Sequence, residues 1–215
     1  MKNSIAEEQI FKISRNNMVQ NQIIPNNITD DAILDALKTA PKHLLVDIKF
    51  QDVAYSESSI SVGHGRFILE PVVFAKMLQA CAIKKADIVL DVGCGLGYSS
   101  FVLSMLSKKV IAIESEVSLV IDTKHNLNQL EVENCIVHSN SLSYGYPDNA
   151  LYDVIFVNGA FRKVPALLFE QLSNEGRLAI IEKTPSGTSM AVVYKKHREA
   201  FDRQEICYVS INYLE

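Results

Sequence analysis

The chain has few of the residues that build metal sites and disulfide frameworks. Its 215 residues include four cysteines, none of them in a C-x-x-C pair, and they are spread over different predicted elements. This pattern argues against a zinc site and a disulfide framework and is typical of a reducing compartment. No cluster of histidine, aspartate and glutamate has metal-ligand spacing either, so we expect no bound metal. The four cysteines are Cys81, Cys94, Cys135 and Cys207.

Long apolar runs are also lacking. No stretch approaches the roughly 20 apolar residues that a membrane-spanning helix needs. The first 24 residues are polar and of mixed charge, with no apolar segment of signal-peptide length. We therefore expect a soluble, cytoplasmic protein that has no membrane partner.

The sequence carries no large excess of charge of either sign. The formal net charge is -4, which gives no general attraction to nucleic acid or to anionic lipid. One short basic run, Lys195–Arg198, is typical of a solvated turn. We therefore expect no nucleic-acid partner. A hydrophobic content of 48% and a charged content of 21% predict an ordinary globular core.

The first third of the chain predicts helices. Helical spacing and the positions of prolines predict one over residues 6–23, a second over residues 30–40 and a third over residues 71–82. Thr29 is the expected N-cap of the second helix. Between the second and third helices, residues 44–70 predict a loop.

From Asp87 onwards, short apolar runs alternate with helical stretches. Runs of this kind, nearly uniformly apolar, are typical of a parallel sheet that helices cover on both faces. The sequence therefore predicts a Rossmann-like, doubly wound α/β fold with an antiparallel C-terminal hairpin over residues 188–213. We expect residues 71–215 to form its core and residues 1–70 to pack on it as one compact unit. The expected strands are residues 88–92, 109–113, 135–138, 153–157 and 176–181.

A glycine-rich turn follows the first expected strand of the core. Its glycines are Gly93, Gly95 and Gly97, and Asp91 stands just before them. A turn between strand and helix is where an open α/β sheet binds ligands, and glycine lets the backbone approach a ligand closely. In the dinucleotide fingerprint the third glycine comes one residue later, and Asp91 would repel a pyrophosphate.

S-adenosylmethionine suits this turn better, because it has no phosphate and carries a cationic amino group. Asp91 can hold that amino group directly or through water. Glu114, at the end of the second strand, can accept both ribose hydroxyls. Asn140 follows the third strand, with Ser141 beside it, and is placed to contact the edge of the adenine ring. The alternative is that Asp91 and Glu114 only cap strand ends.

Four segments of the chain match the motifs of one enzyme family. They are Met18–Ile23 for M-V-x-x-Q-I, Val62–Gly65 with Pro71 for the I-G-H-G loop, Val89–Tyr98 for the cofactor motif, and Leu168–Leu178 for L-L-E-Q-L-x-x-G-G-R-L. On these segments the chain resembles the protein-L-isoaspartate O-methyltransferases from about Met18 to the C-terminal strand. The resemblance implies a class I methyltransferase fold, S-adenosylmethionine as cofactor, and damaged aspartyl residues of a protein or peptide as substrate.

The active loop departs from the family pattern. The family reads approximately G-H-G-Q-T-I-S-Q-P, whereas Gly63–Pro71 reads G-H-G-R-F-I-L-E-P. Leu69 therefore stands at the position of a serine implicated at the substrate site, and Phe67 stands at the threonine position. No catalytic residue is assigned for this reason. The expected substrate-loop residues are His64, Gly65, Arg66 and Leu69.

These departures leave several functions open. Isoaspartyl carboxyl methylation is the first hypothesis; the alternatives are a methyltransferase with a changed substrate and a catalytically silent S-adenosylmethionine-binding regulatory protein. A dinucleotide-dependent oxidoreductase is disfavoured by the glycine spacing. Arg66 can pair with a substrate carboxylate, pair with Glu70 or face solvent. His64, flanked by glycines, is expected to shape the loop.

Overall fold

A seven-stranded sheet organises the molecule. The computed structural model describes residues 2–183, 188–198, 200–211 and 213–214. After a short hairpin, β1 Ile60–Gly63 and β2 Arg66–Ile68, the strands of the sheet are β3 Ile88–Val92, β4 Lys109–Glu114, β5 Cys135–Ser139, β6 Tyr152–Phe161, β7 Leu172–Lys183, β8 Ser189–His197 and β9 Ala200–Val209. The strand order is β5-β4-β3-β6-β7-β8-β9; β3 to β7 are mutually parallel, and β8 pairs antiparallel with both β7 and β9. The predicted doubly wound sheet with a C-terminal hairpin is confirmed.

Six α-helices and a few shorter helical turns surround the sheet in the described residues. The helix predicted over 6–23 is present as α1, Lys2–Met18, which continues into a π-helical turn, Val19–Ile23. Short 3₁₀ turns cover Ile24–Asn26, Lys42–Leu45, Ile48–Val53 and Pro147–Asn149. No helix in the described ranges is both long and apolar enough to cross a membrane. The helices are α1 Lys2–Met18, α2 Asp31–Thr39, α3 Pro71–Cys81, α4 Tyr98–Leu106, α5 Val117–Gln129 and α6 Ala166–Glu170.

Alternate residues of each central strand enter different cores, because successive side chains of a strand point to opposite faces. Val89 belongs to the core that contains α3, α4 and the N-terminal helices, whereas Leu90 belongs to the core beneath α6. Both side chains are fully buried. Burial on both faces explains why these strands are nearly uniformly apolar.

The N-cap of α2 is Asp30, and the prediction of Thr29 is wrong. The Asp30 side chain accepts hydrogen bonds from the amides of Ala32 and Ile33. The amide of Thr29 instead donates to Oε1 of Gln79 in α3. The amide of Asp30 donates to the same oxygen, so Gln79 anchors the entry to the helix, and both residue types suit an N-cap.

The predicted loop over residues 44–70 contains a small antiparallel hairpin, so that prediction is wrong in part. Its strands are β1 Ile60–Gly63 and β2 Arg66–Ile68. The two turn residues, His64 and Gly65, have φ of 51° and 72°, as a type I′ turn requires. Strands of 4 and 3 residues are too short to give a periodic apolar signal.

The two strands that follow β5 are longer than predicted. The expected strand ended at Val157, since Asn158 and Gly159 disfavour strands. In the structure β6 passes these residues through an irregular register and pairs again at Ala160, opposite Ile181 of β7. This extension carries Asn158 to the carboxyl edge of the sheet.

The strand order reverses at β3: β4 and β5 lie on one side of this strand, and β6 and β7 lie on the other. This strand pairs with β4 on one side and β6 on the other, which makes its carboxyl end the topological switch point. Ligands of open α/β sheets bind in the crevice at such a point. The glycine-rich turn lies there.

Candidate functional site

The glycine-rich turn is held tightly against β4. The amides of Gly93 and Cys94 both donate to the carbonyl of Ile113. Gly95 has φ of 56°, and a Cβ there would lie 3.1 Å from a methyl carbon of Val62 in β1. The turn therefore needs glycine both for its backbone conformation and for the close approach of the β1–β2 hairpin.

Asp91 is fully buried beneath the turn and has protein donors on both carboxylate oxygens. Oδ2 accepts from the hydroxyls of Ser99 at 2.8 Å and Ser100 at 2.6 Å, and Oδ1 accepts from Nδ2 of Asn158 at 2.6 Å. Burial raises the pKa of Asp91 to about 6, and the three hydrogen bonds oppose that rise. Asp91 thus ties the turn to α4 and β6.

Glu114 ends β4 and faces the turn from the other side. It is fully buried, and its Oε2 accepts from the amide of Gly95 at 3.2 Å. Its Oε1 accepts from the amides of Ser115 at 2.7 Å and Glu116 at 3.2 Å. These backbone donors fix the carboxylate in one orientation beside the turn.

Arg66 fills the space next to Glu114. Its Nε lies 3.0 Å and 3.2 Å from the two carboxylate oxygens of Glu114. Nη2 donates to the hydroxyl of Ser115 at 2.7 Å, and Nη1 donates to the carbonyl of Leu214 at 2.8 Å. The Arg66 side chain is only 5% exposed and pairs with Glu114. The interpretation in which it faces solvent or pairs with Glu70 is therefore wrong.

Leu214 covers the turn from the C-terminal side. Its amide donates to the carbonyl of Ala160 at 2.8 Å. Its side chain packs against two glycines. A Cβ atom added to Gly93 would lie 3.4 Å from the Leu214 side chain, and one added to Gly159 would lie 2.6 Å from it. The cavity left over the turn is about 10 Å³, about enough for a single water molecule.

Asn140 and Ser141 follow β5, as expected, and shape the loop there. The amide of Asn140 donates to the carbonyl of Glu114 at 3.1 Å, which places the two residues side by side. The Asn140 side chain donates to the carbonyl of Gly145 at 2.8 Å and accepts from the amide of Ser141 at 3.0 Å. The hydroxyl of Ser141 lies 3.0 Å from that of Ser143.

The substrate-loop residues separate into two groups. His64 is half-exposed, with Nδ1 3.5 Å from a carboxylate oxygen of Glu116 and Nε2 3.4 Å from the hydroxyl of Ser118. Leu69 is buried and lines the small cavity over the turn, where it offers no hydrogen-bond donor. Gly65 serves only the hairpin turn.

Phe67 stands between that cavity and a much larger cleft. The cleft has a volume of about 740 Å³ and is lined by Phe67, Glu70, Lys183 and Ser189, among others. Ser189 is 2% exposed, and its hydroxyl has no hydrogen-bond partner in the described part of the structure. A cation and a free buried hydroxyl therefore lie beside the active loop.

Several site residues were missed by the sequence analysis. Ser99 and Ser100 open α4, and Asn158 stands in the segment that corresponds to the family's T-A-A. Leu214 reaches the turn from the far end of the chain, 148 residues from Arg66. The serines had a signal, since they directly follow the glycine-rich turn; Leu214 had none.

The residue types at the turn fit S-adenosylmethionine, but the present conformation is closed. Glu114 and Asn140 carry acceptor oxygens, and the glycines give an open backbone, which are features that suit this cofactor. Arg66 occupies the Glu114 carboxylate, and Leu214 packs over Gly93. The cavity that remains above the turn, lined by Phe67 and Leu69 among others, is only about 10 Å³. The cofactor therefore fits only where Arg66 and Leu214 have moved. No group of three or more potential metal ligands is found among the described side chains.

Comparisons with known proteins agree with this architecture. The family model for protein-L-isoaspartate(D-aspartate) O-methyltransferase matches residues 13–214. A protein-L-isoaspartate O-methyltransferase of Opitutus terrae is 36% identical over 81% of this chain and 75% of its own length. One of Roseiflexus castenholzii is 35% identical over 84% of this chain and 81% of its own length.

Solved structures support the same fold. A Plasmodium falciparum protein of the same description, in complex with S-adenosyl-L-homocysteine, superposes with a TM-score of 0.79 at 18% identity over 94% of this chain and 98% of its own. Another protein-L-isoaspartate O-methyltransferase superposes with a TM-score of 0.77 at 22% identity over 97% of this chain, which spans 65% of that longer chain. The chain belongs to the protein-L-isoaspartate(D-aspartate) O-methyltransferase family.

Proposed function

We propose that the chain is an S-adenosylmethionine-dependent O-methyltransferase that methylates the carboxylate of damaged aspartyl residues in proteins, as a step of protein repair. The observation that carries this is the family match over residues 13–214, which includes the glycine-rich turn, Glu114 and the active loop. The named relatives give the reaction class.

The core over residues 71–215 would hold the cofactor, while residues 1–70 bring the active loop to it. Glu114 would accept a ribose hydroxyl, Asn140 and Ser141 would border the adenine, and the backbone of Gly93 and Gly95 would lie against the amino-acid part. The cofactor, when bound, supplies an electrophilic methyl group. Asp91 would act from below by holding Ser99, Ser100 and Asn158 in place.

A substrate carboxylate needs no general base, because it is ionised at neutral pH. It needs orientation, and the cleft beyond Phe67 offers room and a cation for that purpose. The cleft of about 740 Å³ has Lys183 on its wall and the free hydroxyl of Ser189 at depth. These two groups are candidates to replace the donor that Leu69 lacks.

The cysteines and the net charge support a cellular compartment and a class of substrate. All four cysteines are free, which supports a reducing compartment and hence the cytoplasm. The net charge of -4 favours a protein or peptide substrate over nucleic acid.

The test is transfer of labelled methyl from S-adenosylmethionine to an isoaspartyl peptide, with the normal aspartyl peptide of the same sequence as control. We expect a base-labile methyl ester on the isoaspartyl peptide alone. Equal label on both peptides would indicate a changed substrate. No label on either, together with no binding of S-adenosylhomocysteine, would refute the proposal.

A further inference from the structure

We propose that Arg66 competes with the cofactor for Glu114. Together with Leu214 it forms a clasp that closes the site, and cofactor binding replaces the Arg66 guanidinium on Glu114 with a ribose hydroxyl. The clasp consists of Arg66, Glu114, Ser115 and Leu214. The identity of the competing ligand rests on the proposed function, whereas the closed contact itself does not.

The carboxylate of Glu114 has no capacity left while Arg66 is bound. A carboxylate offers about four lone-pair sites. Three backbone amides already donate to Glu114, from Gly95, Ser115 and Glu116, and the Nε of Arg66 lies within hydrogen-bond distance of both oxygens. The three amides leave one site, on Oε2, and a ribose hydroxyl can take it only after the guanidinium has left.

Arg66 also fixes the residue that covers the turn. Its Nη1 donates to the carbonyl of Leu214, and the amide of Leu214 donates to Ala160. The side chain between these two anchors packs over Gly93. Release of Arg66 removes one of the two anchors, so departure of the guanidinium and uncovering of the turn are linked.

The ion pair between Arg66 and Glu114 is buried, so it can hold the site closed. Arg66 is 5% exposed and Glu114 is not exposed at all, so solvent does not screen their attraction as it does for surface pairs. The position is occupied by glutamine in the family's loop, which has no charge to offer Glu114. The clasp is therefore a property of this chain's own substitution.

The experiment compares the parent chain with Arg66→Gln by calorimetric titration with S-adenosylhomocysteine. Arg66→Gln should bind at least about tenfold more tightly, because one charge-assisted hydrogen bond no longer has to be broken. Arg203→Gln is the matched control: Arg203 pairs with Glu182 and Glu205 on the surface, far along the chain from the turn. Its affinity should equal that of the parent.

A second readout needs no ligand. Amide hydrogen exchange of Leu214, followed by NMR in the ligand-free protein, should be at least about tenfold faster in Arg66→Gln, since one anchor of that residue is lost. In the parent, addition of S-adenosylhomocysteine should accelerate the same amide. Leu214→Ala, which keeps the carbonyl but removes the cover, should also tighten binding severalfold and serves if Arg66→Gln does not fold.

The outcomes separate the two proposals. Weaker or unchanged affinity in both Arg66→Gln and Leu214→Ala would overturn the competition, because Arg66 would then support the cofactor or ignore it. No binding by any variant would refute the cofactor assignment. In that case the amide hydrogen exchange of Leu214 still tests the clasp. An exchange rate that Arg66→Gln leaves unchanged would overturn the clasp as well.

Discussion

Replacing Lys42 with methionine should change how the stability of the protein depends on pH. Lys42 is 1% exposed in the 3₁₀ turn after α2, and its ammonium lies 5.6 Å from the centre of the Tyr98 ring. Burial lowers the pKa of Lys42 from 10.5 to about 7. The Tyr98 ring offsets only part of the cost of burying the charge.

The direction in which pH changes the free energy of unfolding follows from proton binding to Lys42. Between pH 7 and 10.5 the unfolded chain holds a proton on Lys42 that the folded chain has released, so the free energy of unfolding rises with pH. Each pKa unit corresponds to about 1.4 kcal/mol. From pH 7 to pH 9 the parent should therefore gain up to about 3 kcal/mol from this residue.

The assay is urea unfolding of the parent and Lys42→Met at several pH values from 6 to 9. The variant should be more stable than the parent at pH 6, and the difference should shrink towards pH 9. Lys12→Met, at an exposed position of α1, should keep the pH dependence of the parent. A constant difference between parent and Lys42→Met across this range would refute the reasoning.

Two further substitutions test the site. Leu69→Ser places a hydroxyl beside the turn and should raise the rate of methyl transfer to an isoaspartyl peptide by about 10²-fold, as expected for one well-placed donor. A rate at or below that of the parent would contradict the need for a donor at this position. Ser100→Ala deprives buried Asp91 of a 2.6 Å hydrogen bond and should lower the free energy of unfolding at pH 7 by about 1–3 kcal/mol. This loss should diminish below pH about 6, where Asp91 takes up a proton; an equal loss at pH 5 and pH 7 would contradict the assignment, and Ser104→Ala is the control.

The fold was largely readable from the sequence because its central strands are buried on both faces. The expected strands at 88–92 and 109–113 match β3 and β4 to within one residue. A nearly uniformly apolar run between turn signals leaves few alternatives to a central strand. The short hairpin that carries Arg66 gave no such signal, since strands of a few residues show no period.

The site was readable only in its local part. The turn, Asp91 and Glu114 come from a strand–turn–helix pattern whose positions are close in sequence. The pairing of Arg66 with Glu114 joins residues 48 apart, and the Leu214 contact spans 148. Such contacts depend on how the hairpin and the C-terminus settle on the sheet, which no local pattern records.

The loop substitutions have a common structural meaning. Where the family has uncharged glutamine, threonine and serine, this chain has Arg66 on Glu114 and two apolar side chains, Phe67 and Leu69, around the turn. The result is a site that is closed over the glycine-rich turn, with a cavity of only about 10 Å³. The proposed reaction therefore requires opening, and the affinity for cofactor should be set by that step.

The central claim is that Glu114 and the glycine-rich turn hold S-adenosylmethionine. It is tested most directly by calorimetric titration of Arg66→Gln and of the double variant Arg66→Gln/Glu114→Gln with S-adenosylhomocysteine at pH 7, because in this background the change at Glu114 does not also release Arg66. We predict binding by Arg66→Gln and at least tenfold weaker binding by the double variant, about the loss of one charge-assisted hydrogen bond. Equal affinity of the two proteins, or no binding by either, would contradict the account.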